Sequence, residues 1–270
     1  MNIKLPVEDA KAATGDYIGN DGLLHCGKCK TPKQTKITMF DGRAVTVGCL
    51  CKCEVERRER EKAEDERRER ELQIDRYRSV GFPDKELRRC KFSADDGANA
   101  GATKAAKNFV THFKEFREAG KGIMFYGSVG TGKTFMAACI ANALIDECIP
   151  CVVTNFSRII NKLSGTWEGK QEYLDSLNNY SLLVIDDFAV ERNTEYVNEI
   201  VYNVIDSRYR SGKPLIITTN LSTDDFKHPD NVSKQRIYSR INEMCVPIPV
   251  NGKDRRSEPD NGDYIKMLMK

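Results

Sequence analysis

From about Gly81 onward, short apolar runs alternate with stretches of helical periodicity. Ile123-Met-Phe-Tyr126, Cys151-Val-Val-Thr154, Leu182-Leu-Val-Ile185, Leu215-Ile-Ile-Thr218 and Val246-Pro-Ile-Pro-Val250 read as five strands. Such runs are continuously apolar rather than alternating, which marks strands covered on both faces. Residues 133–147, 157–163, 170–178, 193–210 and 233–243 read as the helices between them. Strand and helix in alternation predict an α/β domain, a mainly parallel five-stranded sheet with helices on both faces. No internal repeat is present.

Two different textures precede this domain. Residues 1–53 lack long apolar runs and are rich in Gly, Lys and Thr. Residues 54–80 open as almost solid charge, Glu54-Val-Glu-Arg-Arg-Glu-Arg-Glu-Lys62 and onward, with Glu and Arg recurring three and four apart. That spacing, without Gly or Pro until Gly81, predicts a solvated linker helix held by weak ion pairs. The expected organisation is a module over 1–53, a charged helical linker over 54–80 and an α/β domain over 81–270.

Composition narrows the class. Hydrophobic residues make up 40% of the 270 and charged residues 31%, as in a globular protein. No run approaches the roughly 20 apolar residues of a membrane span. Met1 to Ala10 lacks a secretory pattern, so a cytoplasmic location is expected. A net charge of +3 is too small to argue for a nucleic-acid partner. Five of the ten cysteines fall between Cys26 and Cys53. The others, Cys90, Cys139, Cys148, Cys151 and Cys245, stand alone in apolar surroundings and read as small core residues.

Gly127-Ser128-Val129-Gly130-Thr131-Gly132-Lys133-Thr134 satisfies the phosphate-loop pattern between a strand and the helix opened by Phe135. Glycines let successive N–H groups face phosphate oxygens, and the helix N-terminus adds partial positive charge. Lys133 is expected to reach the β- and γ-phosphates of ATP, and the Thr134 hydroxyl to ligate Mg²⁺. Leu182-Leu-Val-Ile-Asp186-Asp187 places two carboxylates at the end of a buried strand, where open α/β sheets bind ligands. Asp186 would hold Mg²⁺ through water, and Asp187 would orient or deprotonate the attacking water. In a sheet ordered 5-1-4-3-2, Thr218-Thr219-Asn220 ends a strand lying between the two motif strands. Asn220 could then touch the γ-phosphate.

Cys26-Gly-Lys-Cys29 and Cys49-Leu-Cys51-Lys-Cys53 offer two thiolate pairs for a tetrahedral Zn²⁺. Cys26, Cys29, Cys51 and Cys53 are the favoured ligands, with Cys49 the spare and His25 a remote alternative. The metal would be structural, since so small a segment folds poorly without a staple.

Gly122-Ile-Met-Phe-Tyr-Gly-Ser-Val-Gly-Thr-Gly-Lys-Thr134 and Leu-Leu-Val-Ile-Asp-Asp187 resemble the DnaC/DnaI-type helicase loaders and the related IstB transposition ATPases. So do Ile205-Asp-Ser-Arg-Tyr209 with Lys213-Pro, Ile217-Thr-Thr-Asn-Leu221 and Ser239-Arg-Ile241. The resemblance runs from about Val80 to Arg256 and implies a P-loop NTPase fold of the AAA+ type. It implies that Asn220 is the first sensor and that Arg240 is an arginine finger acting in trans within a homo-oligomer, with Arg236 competing for that role. Arg255 or Arg256 would be the second sensor. Only residues 251–270 follow the last strand, too few for a full helical lid. That suggests weak turnover without partner or DNA.

Phe156, Arg158, Lys162, Trp167 and Lys170 form the best candidate patch for single-stranded DNA. Taken together these features predict an ATP-dependent replication accessory protein that loads a replicative helicase. An IstB-like transposition ATPase is the alternative. A P-loop kinase is disfavoured because neither an acceptor pocket nor a mobile lid is apparent.

Overall fold

A computed structural model describes residues 13–164, 169–189, 194–255 and 267–269. The chain divides into two compact units, Met1–Glu71 and Leu72–Lys270. The division falls inside the charged helix rather than at its start.

The first unit contains two small antiparallel hairpins that the sequence pattern did not announce. β1 (Tyr17–Ile18) pairs with β2 (Leu24–His25), and β3 (Gln34–Thr38) with β4 (Ala44–Gly48). Runs of two to five residues are too short to show a period. The turn between β3 and β4 uses Asp41-Gly42, with Gly42 at φ +82°. The helix α1 (Lys52–Gly81) begins two residues before the expected linker, so Cys53 lies in its first turn. Arg57 pairs with Glu54 at 2.5 Å and Glu61 at 3.0 Å, and Arg58 with Glu54 at 3.4 Å. Each such exposed pair contributes little alone.

The second unit holds the sheet. Its helices and strands follow in the order α2 (Ala100–Thr111), α3 (Phe113–Glu118), β5 (Gly122–Tyr126), α4 (Lys133–Asp146), β6 (Cys151–Asn155) and α5 (Phe156–Ser164). After these come α6 (Lys170–Leu177), β7 (Leu182–Phe188), α7 (Glu195–Arg210), β8 (Leu215–Thr219), α8 (Thr223–Lys227), α9 (Val232–Met244) and β9 (Cys245–Pro249). The sheet order is β6-β7-β8-β5-β9 and every pairing is parallel, matching the expected 5-1-4-3-2 arrangement. The helices α2, α3 and α8 had no counterpart in the pattern analysis.

Successive residues of β7 serve opposite faces. Leu182 and Val184 pack with Phe109, Ile140 and Leu144 beneath α2 and α4. Leu183 and Ile185 pack with Ile159, Ile205 and Ile241 beneath α5, α7 and α9. Both faces are thus covered, which is why the strands read as unbroken apolar runs.

The sheet edge at β9 is protected by its own sequence. The Val250 amide donates to Tyr126 O at 2.8 Å, so Pro247 and Pro249 take the alternate positions that face away from β5. A proline there removes no ladder hydrogen bond and offers no donor to another strand.

Two cysteines depart from expectation. Cys148 is half-buried, not core, and sits at φ +61° just past α4. Its amide donates to Ile145 O and that of Ile149 to Leu144 O, the paired bonds that close a helix through a left-handed residue. Cys90 is likewise half-buried, beyond a short 3₁₀ turn at Leu87–Arg89.

Candidate nucleotide site and cysteine cluster

The turn from β5 into α4 carries residues 127–134. Gly130 and Gly132 adopt φ +75° and +102°, backbone that side-chain-bearing residues rarely take. A Cβ on Gly130 would also stand 1.7 Å from Asp254 Oδ1. Lys133 is 6% exposed, and its ammonium donates to Gly127 O at 2.9 Å and Ser128 O at 2.6 Å. Thr131 closes the loop internally, donating to Ser128 O at 3.0 Å.

A cavity of about 440 Å³ opens over this turn. Val129, Gly130, Gly132, Lys133, Thr134 and Phe135 line it, together with Asp187, Asn220 and Arg255. All nine stand among the residues singled out from the sequence. The volume is ordinary for a small-molecule site.

Asp186 is held where the strands meet the turn. Its Oδ1 accepts from Thr134 Oγ1 at 2.8 Å and from Thr218 Oγ1 at 2.6 Å. The Thr218 hydroxyl in turn accepts from the Asp187 amide at 2.9 Å. Burial pushes the Asp186 carboxyl above the usual carboxylate range, although both hydroxyls oppose that shift. Asp187 is exposed, and its φ of +52° breaks the strand's alternation beside a register shift between β7 and β8. The sequence shows Thr218 only as part of a polar strand end; its place against Asp186 depends on register between β7 and β8, which no local pattern encodes.

Arg255 follows β9 and returns to the turn. Its amide donates to Gly130 O at 3.1 Å, and its guanidinium pairs with Asp96 at 2.9 Å. Asp96 carried no signal in the sequence. Arg256 lies outside the described residues, as does Trp167.

Arg240 of α9 pairs with Asp206 of α7 at 2.5 Å and lies over the rings of Tyr202 and Tyr209, at 4.7 and 5.7 Å. Its side chain is only 23% exposed. Arg236, one turn earlier, is exposed. Neither lines the cavity.

The basic patch also changes membership. Phe156 is fully buried, edge-on to Phe188, and is a core residue rather than a stacking platform. Among the described residues, Tyr173 lies under Lys162 at 4.2 Å and Tyr196 under Lys170 at 5.7 Å. Arg158 is exposed.

In the first unit, the sulfurs of Cys26, Cys29, Cys51 and Cys53 all lie within 4.8 Å of one another. The Cys26–Cys53 and Cys51–Cys53 separations are 3.5 and 3.3 Å. A tetrahedron of sulfurs around Zn²⁺ has edges of about 3.8 Å, so four thiols from two turns fit that donor set. The Thr31 hydroxyl and backbone amides lower the Cys29 thiol to about 5, while the neighbouring sulfurs raise Cys53 to about 12. Cys49 stands apart, its thiol donating to Pro32 O at 3.6 Å. His25 is engaged by Asp21 and Lys30 O and does not join the cluster.

Among the described residues no helix is long and apolar enough to cross a membrane. The sequence profile of the IstB-like ATP binding proteins matches residues 55–260. The replicative helicase loader DnaI of Bacillus subtilis is 30% identical over 162 residues, 54% of this chain but only 52% of that protein. An ATP-binding protein in an insertion sequence of Mycobacterium tuberculosis is 27% identical over 187 residues, 64% of this chain and 72% of its own length. A crystal structure of DnaI superposes with a TM-score of 0.55 at 25% identity, covering 67% of this chain and all of that one.

Proposed function

Because the chain belongs to the IstB-like ATP binding protein family, we propose that it is an ATP-hydrolysing accessory factor of DNA replication that helps place a replicative helicase on single-stranded DNA. The observation that carries the nucleotide part is the convergence of Lys133, Thr134 and Asp187 on one cavity, with Asp186 bonded to Thr134 beside it.

Each residue then has a task. The Lys133 ammonium, now satisfied by loop carbonyls, exchanges them for the β- and γ-phosphates. Thr134 and Asp186 present a hydroxyl and a carboxylate side by side, an oxygen set that suits a hard divalent cation. Mg²⁺ there would neutralise charge developing on the phosphates. Asp187, exposed at the cavity wall, orients or deprotonates the attacking water. Asn220 senses the γ-phosphate, and Arg255 adds positive charge beside the turn. Thr218 fixes Asp186 and, through the Asp187 amide, the adjoining backbone.

The likeness to DnaI supports the loader reading. So does the cysteine cluster, a structural Zn²⁺ site through Cys26, Cys29, Cys51 and Cys53 that would fold a module for docking the helicase. Arg158, Lys162 and Lys170, with Tyr173 and Tyr196, supply charge and ring faces for a single strand. Arg240 or Arg236 would complete a neighbour's site in a homo-oligomer; Arg240 must first leave Asp206. The insertion-sequence relative keeps a transposition ATPase as the second reading.

The test is helicase deposition on a circular single strand, scored by unwinding of an annealed oligonucleotide. Unwinding that requires this protein and ATP supports loading. Unwinding indifferent to it, together with stimulation of a transposase, supports the second reading instead.

A further inference from the structure

The phosphate-loop turn is gripped by a segment that contributes nothing to the recognised motifs. Residues 96–99 lead into α2, far from the turn in sequence. Asn99 Nδ2 donates to Thr131 O at 3.3 Å. Asp96 Oδ1 accepts from Arg255 Nη2 at 2.9 Å. Arg255 itself is fastened to the turn through its amide and Gly130 O. Its Nη1 lies 3.3 Å from where a Cβ on Gly132 would stand, so the guanidinium lies across the entrance to α4. One segment therefore reaches the turn twice, directly through Asn99 and indirectly through Arg255.

The physical effect of the Asp96 contact is orientation more than stability. Asp96 is 54% exposed and Arg255 33% exposed at the side chain, and such pairs contribute little to folding. An arginine tethered through one Nη keeps its remaining donors in a fixed plane. It loses less conformational freedom when an anion arrives than an untethered one does. Arg255 lines the same cavity as Lys133 and Thr134, so the group being oriented faces the place where phosphate would lie.

We infer that Asp96 is a positioning residue for nucleotide binding, acting through Arg255 rather than touching the nucleotide. The inference rests on the nucleotide-site reading above. It gives residues 96–99 a role that no phosphate-loop or acidic-strand motif describes.

Affinity for a fluorescent ATP analogue, with kcat and KM for hydrolysis, tests it on the full chain. The variants are Asp96→Asn, Asp96→Glu, Arg255→Ala, the Asp96→Asn/Arg255→Ala double variant, and Lys133→Ala. Asp96→Asn is expected to weaken binding about two- to fivefold and raise KM with kcat little changed. Asp96→Glu should recover most of the loss. In the Arg255→Ala background the Asp96 change should cost nothing further, because the two act as a unit. Wild-type affinity in Asp96→Asn, or additive losses in the double variant, overturns the inference. A loss that tracks a fallen melting temperature and is not recovered by Asp96→Glu overturns it too, as a structural effect. The nucleotide-site reading fails separately, if Lys133→Ala binds as tightly as wild type.

Discussion

Thr134 and Asp186, 52 positions apart, meet at 2.8 Å, the hydroxyl of the helix start donating to the carboxylate of β7. The contact joins the two nucleotide motifs directly. It also concentrates a cost, since the carboxylate is largely buried and its pKa is raised by that burial.

Linkage fixes the sign of this cost. An acid whose folded-state pKa lies above its unfolded value contributes stability that is fully present below the unfolded pKa. That stability is lost as pH rises through the folded pKa. Ionisation of Asp186 therefore burdens the folded chain. Asp186→Asn should raise its melting temperature by about 2–4 °C, the shift given by roughly 1 kcal/mol in a unit of this size, while reducing hydrolysis about 100-fold or more. Scanning calorimetry and steady-state turnover of the same preparation check both halves.

Arg208 predicts the opposite kind of phenotype. It is fully buried, and its guanidinium donates to Pro214 O, Tyr180 O and Ser181 O, stitching α7 to the starts of β7 and β8. Burial lowers its pKa to about 9, so it remains charged at neutral pH. Arg208→Met leaves several carbonyls without donors and should cost about 3 kcal/mol or more. Urea denaturation reads that loss as a lower midpoint.

The cysteine cluster gives a prediction of metal content. Wild type should retain about one equivalent of Zn²⁺ per chain after dialysis, Cys29→Ser should lose it, and Cys49→Ser should keep it. Elemental analysis decides, and equal retention by all three would remove the cluster from consideration as a metal site.

The two helix arginines separate by location. Arg240→Ala breaks a contact with Asp206 and two ring faces, so it should lower stability by about 1 kcal/mol. Arg236→Ala, at an exposed position, should stay within about 0.5 kcal/mol of wild type. Denaturation of both variants under one set of conditions makes the comparison.

The sheet was legible because its central strands are buried on both faces, so Leu182–Ile185 and Leu215–Thr218 stand out as apolar runs. The cavity was legible for a different reason: the phosphate loop is local, and its strand and helix flank it directly. What escaped depended on distance or posture. Thr218 reaches Asp186 only through strand register, and Asp96 reaches Arg255 across 159 positions. Phe156 looked like a base platform, but its position at the start of α5 turns it into the core. The resemblance marks Arg240 as a finger, but its sequence neighbours do not show that Asp206 stands across from it on α7. The N-terminal hairpins are too short to leave a period.

The most direct test of the account is steady-state ATP hydrolysis with Mg²⁺, with and without single-stranded DNA, for wild type and Lys133→Ala. Slow basal turnover should rise with DNA and fall about 100-fold or more in Lys133→Ala. Turnover that survives Lys133→Ala, or that ignores single-stranded DNA altogether, would contradict it.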